Sequence, residues 1–101
     1  MIFSVVYHPQ VYPQILEIAD WYEDRQIGLG SQFADEFEKT ILLITKNPMG
    51  FAKRLKQSRQ VKLNRFPYII VYEVRKDIIE IYNIIHTSRH PIRRIIRASD
   101  K

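Results

Sequence analysis

The chain has 101 residues, 46% of them hydrophobic and 27% charged, with no cysteine and a net charge of +5. That length fits one domain spanning residues 1–101, and the composition is that of a folded protein. The lack of cysteine excludes a disulfide framework, a zinc–thiolate site and a thiol nucleophile. No apolar run approaches the roughly 20 residues of a membrane span, and Met1-Ile2-Phe3-Ser4 has no basic region ahead of an apolar one. A cytoplasmic protein without a membrane partner is expected.

The charge is unevenly placed. Residues 1–50 carry three basic groups (Arg25, Lys39, Lys46) against seven acidic ones, a balance of −4. Residues 51–101 carry thirteen basic groups against four acidic ones, a balance of +9. A basic half of that kind suits a polyanionic partner, either nucleic acid or an acidic protein, and otherwise keeps a small protein soluble.

Ile2 to Tyr7 is β-rich, bounded by His8-Pro9, and predicts a first strand. Tyr12, Ile15, Leu16, Ala19 and Tyr22 then follow helical spacing and predict an amphipathic helix that begins close to Pro13. Gly28 is a natural stop. A second helix is expected from about Leu29 to Asn47-Pro48, with Phe33, Phe37, Ile41 and Ile44 as its apolar stripe. Met49 to Ser58 lacks periodicity and predicts a loop. Gln60 to Leu63 alternates, Tyr68 to Val74 is apolar on both faces and should be central, and Ile78 to Ile85 follows the short turn Arg75-Lys76-Asp77. The resulting class is α+β: an N-terminal strand, an antiparallel two-helix hairpin on one face, and a three-stranded antiparallel meander.

The order of these elements and their motifs resembles the RelE/ParE superfamily of type II toxin–antitoxin toxins, over nearly the whole chain. The residues that carry the resemblance are Ile18-Ala19-Asp20-Trp21-Tyr22, Gly28-Leu29-Gly30-Ser31-Gln32-Phe33 and Ile44-Thr45-Lys46-Asn47-Pro48. Arg65-Phe66-Pro67-Tyr68 through Val74 and Ile84-Ile85-His86-Thr87-Ser88-Arg89-His90-Pro91 complete it. The glycine hairpin, the Phe-Pro-Tyr approach to the strand and the tail place it nearer the ParE branch. The resemblance implies a two-layer toxin domain neutralised by a cognate antitoxin. ParE-type toxins act on DNA gyrase, and RelE-type toxins cleave messenger RNA on the ribosome.

Metal-independent RNA cleavage needs a base, an acid and cations for the phosphorane charge. For a nuclease of this family, the resemblance points to Arg65, Arg89 and His90. The tail has no tyrosine, however, and His90 is the nearest substitute for the family's C-terminal acid–base residue. A binding inhibitor of gyrase is therefore the leading expectation. A ribosome-dependent endoribonuclease is the alternative, and an inactive or nucleic-acid-binding homologue the third reading. No cofactor or metal is expected. Arg65, Arg89, Arg93, Arg94 and Arg97, with Ile92, Ile95 and Ile96 among them, suit an acidic amphipathic antitoxin segment. Arg65 alone reads equally as an ion-paired residue beside a strand, and His86 as a half-buried, hydrogen-bonded one. Tyr68, Tyr72 and Tyr82 suit either base stacking or a sheet core.

Overall fold

The computed structural model describes residues 2–89. The chain runs through Ser4–Tyr7 (β1), Val11–Arg25 (α1), Leu29–Lys46 (α2), Ser58–Lys62 (β2), Tyr68–Arg75 (β3) and Ile78–His86 (β4). Short 3-10 turns occupy Pro48–Gly50 and Thr87–Arg89. The sheet order is β1-β4-β3-β2. β2, β3 and β4 form the expected antiparallel meander, and β1 lies parallel to β4. A parallel neighbour needs a long crossover, which the helical hairpin and the meander together supply.

The core lies between the hairpin and one face of this sheet. Phe33, Phe37, Ile41 and Ile44 of α2 are buried against Ile70 and Tyr72 of β3 and Ile79, Ile81 and Ile84 of β4. α1 differs from expectation. Tyr12 is 67% exposed and Leu16 47% exposed. The buried stripe is instead Val11, Ile15, Ile18, Ala19 and Tyr22. Both sets satisfy helical spacing because α1 is apolar around much of its circumference. The chain before the helix chooses between them. The His8 N–H donates to the Ile81 carbonyl and the Val11 N–H to the His8 carbonyl, which anchors the start of the helix on β4 with Val11 buried.

The hairpin is tight. Gly28 takes a positive φ of 90°, where a side chain would be strained. Gly30 is buried at the helix crossing, and a Cβ there would come within 2.5 Å of the Ala19 carbonyl oxygen. Glu23 closes the turn: its carboxylate accepts the Gly28 N–H at 2.8 Å and the Gly30 N–H at 3.0 Å. A carboxylate on the unpaired N–H groups that begin α2 is favourable by both hydrogen bonding and the helix dipole.

The segment Met49 to Ser58 is more ordered than a loop. Lys53 bridges to Arg59, and the Ser58 hydroxyl donates to the Leu55 carbonyl at 2.8 Å. This turn carries β2 back to Ser58, earlier than the alternation alone predicts. In β4, Tyr72 pairs with Ile81 but Val71 with Asn83, so Tyr82 is the extra residue of a bulge.

Candidate interaction surface

The meander brings the ends of β3 and β4 together. The Thr87 N–H donates to the Pro67 carbonyl at 2.8 Å, so the turn that ends at Arg89 and the turn that holds Arg65 share one end of the sheet. The guanidinium of Arg65 is engaged from the helical layer. It donates to Gln32 Oε1 at 3.0 Å and lies 4.0 Å from Glu36 Oε1. Glu36 also accepts the Asn64 N–H at 3.0 Å, which ties the β2–β3 turn to α2. The pair is largely exposed on the arginine side, so its contribution to stability is small, on the order of 0–1 kcal/mol. His90, Arg93, Arg94 and Arg97 lie outside the described residues.

His86, at the end of β4, is half-buried. Its ring meets Tyr68 edge to face at 5.0 Å. The Ser88 N–H donates to His86 Nδ1 at 3.1 Å, and the Ser88 hydroxyl lies 2.7 Å from the same nitrogen. In the neutral ring the proton therefore sits on Nε2.

The three candidate tyrosines separate. Tyr72 points into the core, where burial pushes its phenol up to about 12. Tyr68 is partly buried and packs edge to face on Phe33 at 5.7 Å. Tyr82, at the bulge, turns to the sheet face away from the helices. Its hydroxyl lies 3.2 Å from both Glu73 and Glu80, and Arg75 pairs with Glu80. Desolvation, then the hydrogen-bonded Glu80 and nearby Glu73, raise the Tyr82 phenol above its ordinary value. That phenol is protonated at neutral pH and is poorly suited to act as a base. The hydrogen bond from Arg75, more than any other influence, holds the Glu80 carboxyl below its ordinary value.

Two grooves flank α1. One, of about 440 Å³, runs between α1 and α2 and is mainly apolar, with exposed Tyr12 and Leu16 beside Val11 and Phe37 and with Glu38 at its rim. The other, of about 430 Å³, lies between α1 and the shared end of β3 and β4. Glu17, Trp21, Tyr22, Pro67, Tyr68 and His86 form its walls. Sequence reasoning missed this second groove, because its residues come from three distant segments and each alone reads as packing. The nearest signal in the sequence is Trp21, a lone tryptophan among the carboxylates Glu17, Asp20, Glu23 and Asp24. Among the described residues, no group of three or more His, Asp or Glu is placed to hold a metal ion. No described helix is long and apolar enough to cross a membrane.

Residues 5–91 match the family model described as ParE toxin of the type II toxin–antitoxin system parDE. Among solved structures, a chain of the chromosomal ParDE toxin–antitoxin system of Pseudomonas aeruginosa is similar at 18% identity, with a TM-score of 0.72, over 84% of this chain and 96% of that one. A mutant of the Escherichia coli toxin RelE in the free state is similar at 15% identity, with a TM-score of 0.65, over 92% of each chain. The same toxin mutant bound to an antitoxin RelBc peptide gives a TM-score of 0.61 at 15% identity, over 96% of this chain and 98% of that one. At these identities the structural likenesses establish the fold. A comparison with curated protein sequences returns no match.

Proposed function

Because the chain belongs to the ParE toxin family of type II toxin–antitoxin systems, we propose that it acts by binding DNA gyrase and that an acidic antitoxin neutralises it. The observation that carries the binding reading is the engagement of Arg65, one of the three candidate catalytic residues. Its guanidinium is held by Gln32 and Glu36 on the helical layer, which leaves it less free to meet the charge of a phosphorane. The family match to a parDE toxin favours gyrase over the ribosome as the target.

The antitoxin reading rests on charge and shape. The second half of the chain carries the +9 balance. The apolar groove between α1 and α2 offers seats for hydrophobic anchors beside Tyr12 and Leu16. We assign Arg65, Arg89, Arg93, Arg94 and Arg97 to the carboxylates of the antitoxin. Apolar anchors then set most of the affinity, and the arginines set approach and partner choice. Purified toxin should inhibit supercoiling and lose that inhibition when its antitoxin is added. Codon-positioned cuts in ribosome-bound message, abolished by Arg65→Ala and Arg89→Ala, would instead establish the nuclease reading with Arg65, Arg89 and His90 as its catalytic residues.

A further inference from the structure

The outer strand β2 collects charge of one sign. From Lys39 to Tyr72 the chain has eight basic residues and no acidic one. Five of the eight, Lys53, Arg54, Lys56, Arg59 and Lys62, lie on β2 and the turn that leads into it. β2 forms one edge of the sheet, so this ribbon borders the end of the layer. Two backbone bonds hold its shape: the Arg54 N–H donates to the Ser58 carbonyl at 2.9 Å, and the Gln60 N–H to the Ala52 carbonyl at 3.0 Å. That pairing sets Lys53 directly across from Arg59. Like charges in that position repel and cost stability. Lys53, Lys56 and Lys62 are exposed and make no ion pair among the described residues. The Lys62 ammonium donates to the Leu63 carbonyl at 2.9 Å, a neutral group that leaves its charge unbalanced. Glu73, the next acidic residue along the chain, meets the Tyr82 hydroxyl on β4 instead.

The chemistry of the ribbon points to phosphate. Between Lys53 and Lys62 the one large exposed apolar group is Leu55, too little to seat the anchors that dominate a protein contact. The aromatic residues beside the ribbon turn inward: Phe66 is buried, and Phe51 packs against the core. Neither ring is presented for unpaired bases to stack on, as single-strand binding needs. Lysine is a compact charge on a flexible stem and meets a phosphate as a point charge, whereas carboxylates are better matched by the fork of arginine. Gln57 and Gln60 add donors for phosphate and sugar oxygens. From Lys56 to Lys62 the chain reaches up to about 20 Å, and duplex DNA carries a charge about every 1.7 Å of its axis, so several phosphates fall within reach. We propose that β2 and its leading turn bind the backbone of duplex DNA through Lys53, Lys56 and Lys62, without reading its sequence. Phosphates laid across this edge also offset the repulsion between Lys53 and Arg59. None of the five cations is among the arginines assigned to the antitoxin, so the two assignments do not compete for the same side chains. The inference goes beyond the gyrase reading and does not depend on it.

The test is a titration of the full chain into a labelled duplex of about 20 base pairs and arbitrary sequence, followed by fluorescence anisotropy at about 50 to about 200 mM salt. Saturable binding is expected, weakening as salt rises. Lys53→Gln, Lys56→Gln and Lys62→Gln together should weaken it at least about tenfold and flatten the slope of log K against log salt by about 3, with each change alone taking away about 1. Lys53→Arg, Lys56→Arg and Lys62→Arg together keep the charge and should bind like the wild type. A chain with Arg93→Gln, Arg94→Gln and Arg97→Gln should still bind, and should lose affinity again when the lysine-to-glutamine changes are added. The single strand of the same sequence should bind more weakly than the duplex. Absence of binding, or glutamine variants within about twofold of the wild type, overturns the proposal. So does tighter binding of the single strand. A polyglutamate chain that displaces the labelled duplex as well as unlabelled duplex does would mark the ribbon as a surface for carboxylates and overturn it too.

Discussion

The hydroxyl of Tyr72, in the central strand, donates a 2.6 Å hydrogen bond to the carbonyl of Pro48, at the end of the helical hairpin. Both residues are buried. The bond ties the turn that follows the second helix to the sheet, and it gives a buried carbonyl a donor. Tyr72→Phe should cost about 1–2 kcal/mol at neutral pH, because the Pro48 carbonyl loses its donor in a dry site. The phenol titrates at about 12 in the folded protein, above its ordinary value of 10.0. A group whose folded value is raised contributes stability below its unfolded value and loses it as pH climbs through the folded one. The gap between wild type and Tyr72→Phe in urea unfolding should therefore narrow from pH 10 toward 12. A gap that is constant or widens over that range would mean the hydroxyl is not held as described.

Glu23 should behave as the cap of a helix to which it does not belong. Its two bonds to Gly28 and Gly30 restrain the hairpin and complement the start of α2. Glu23→Ala should cost about 1–2 kcal/mol, whereas Asp24→Ala, on the exposed side of the same helix, should stay within about 0.5 kcal/mol. Equal effects at the two positions in chemical denaturation would remove the capping role.

The rotated face of α1 makes a paired prediction. Ile15 is 9% exposed and Leu16 is 47% exposed. Ile15→Ala should cost about 2–4 kcal/mol, and Leu16→Ala under about 1 kcal/mol. Antitoxin binding should show the reverse order, since Leu16 lies in the open groove between the helices. Thermal melts of the two variants, with and without antitoxin, test both halves of the statement.

These three cases turn on contacts that the sequence alone does not show. β3 and β4 were legible because runs such as Tyr68 to Val74 suit a strand covered on both sides, and α2 because Phe33, Phe37, Ile41 and Ile44 leave one possible buried face. α1 was ambiguous because Tyr12 and Leu16 fit the helical period as well as Val11 and Ile18 do. The choice came from β1 docking on β4, a contact between segments far apart in the chain. Tertiary partners likewise decided the site residues. Arg65 suited either a phosphate or an ion pair in the sequence, and its partners Gln32 and Glu36 come from α2; the aromatic groove exists only when α1 meets the end of the sheet. Parallel placement of β1 was not written in any local pattern.

Charge separation along the chain predicts salt-sensitive assembly. Raising salt from about 50 to about 500 mM should slow antitoxin association markedly and change dissociation less, because screening weakens long-range approach more than contacts already made. Stopped-flow association that is indifferent to salt would show that the basic half serves another partner.

Inhibition of a protein target by binding is tested most directly in a paired assay. Purified protein should be titrated into gyrase supercoiling and into in-vitro translation under the same conditions. Dose-dependent loss of supercoiling, restored by antitoxin, is expected, with translation and message intact. Unimpaired supercoiling alongside cleaved, ribosome-bound message would contradict it.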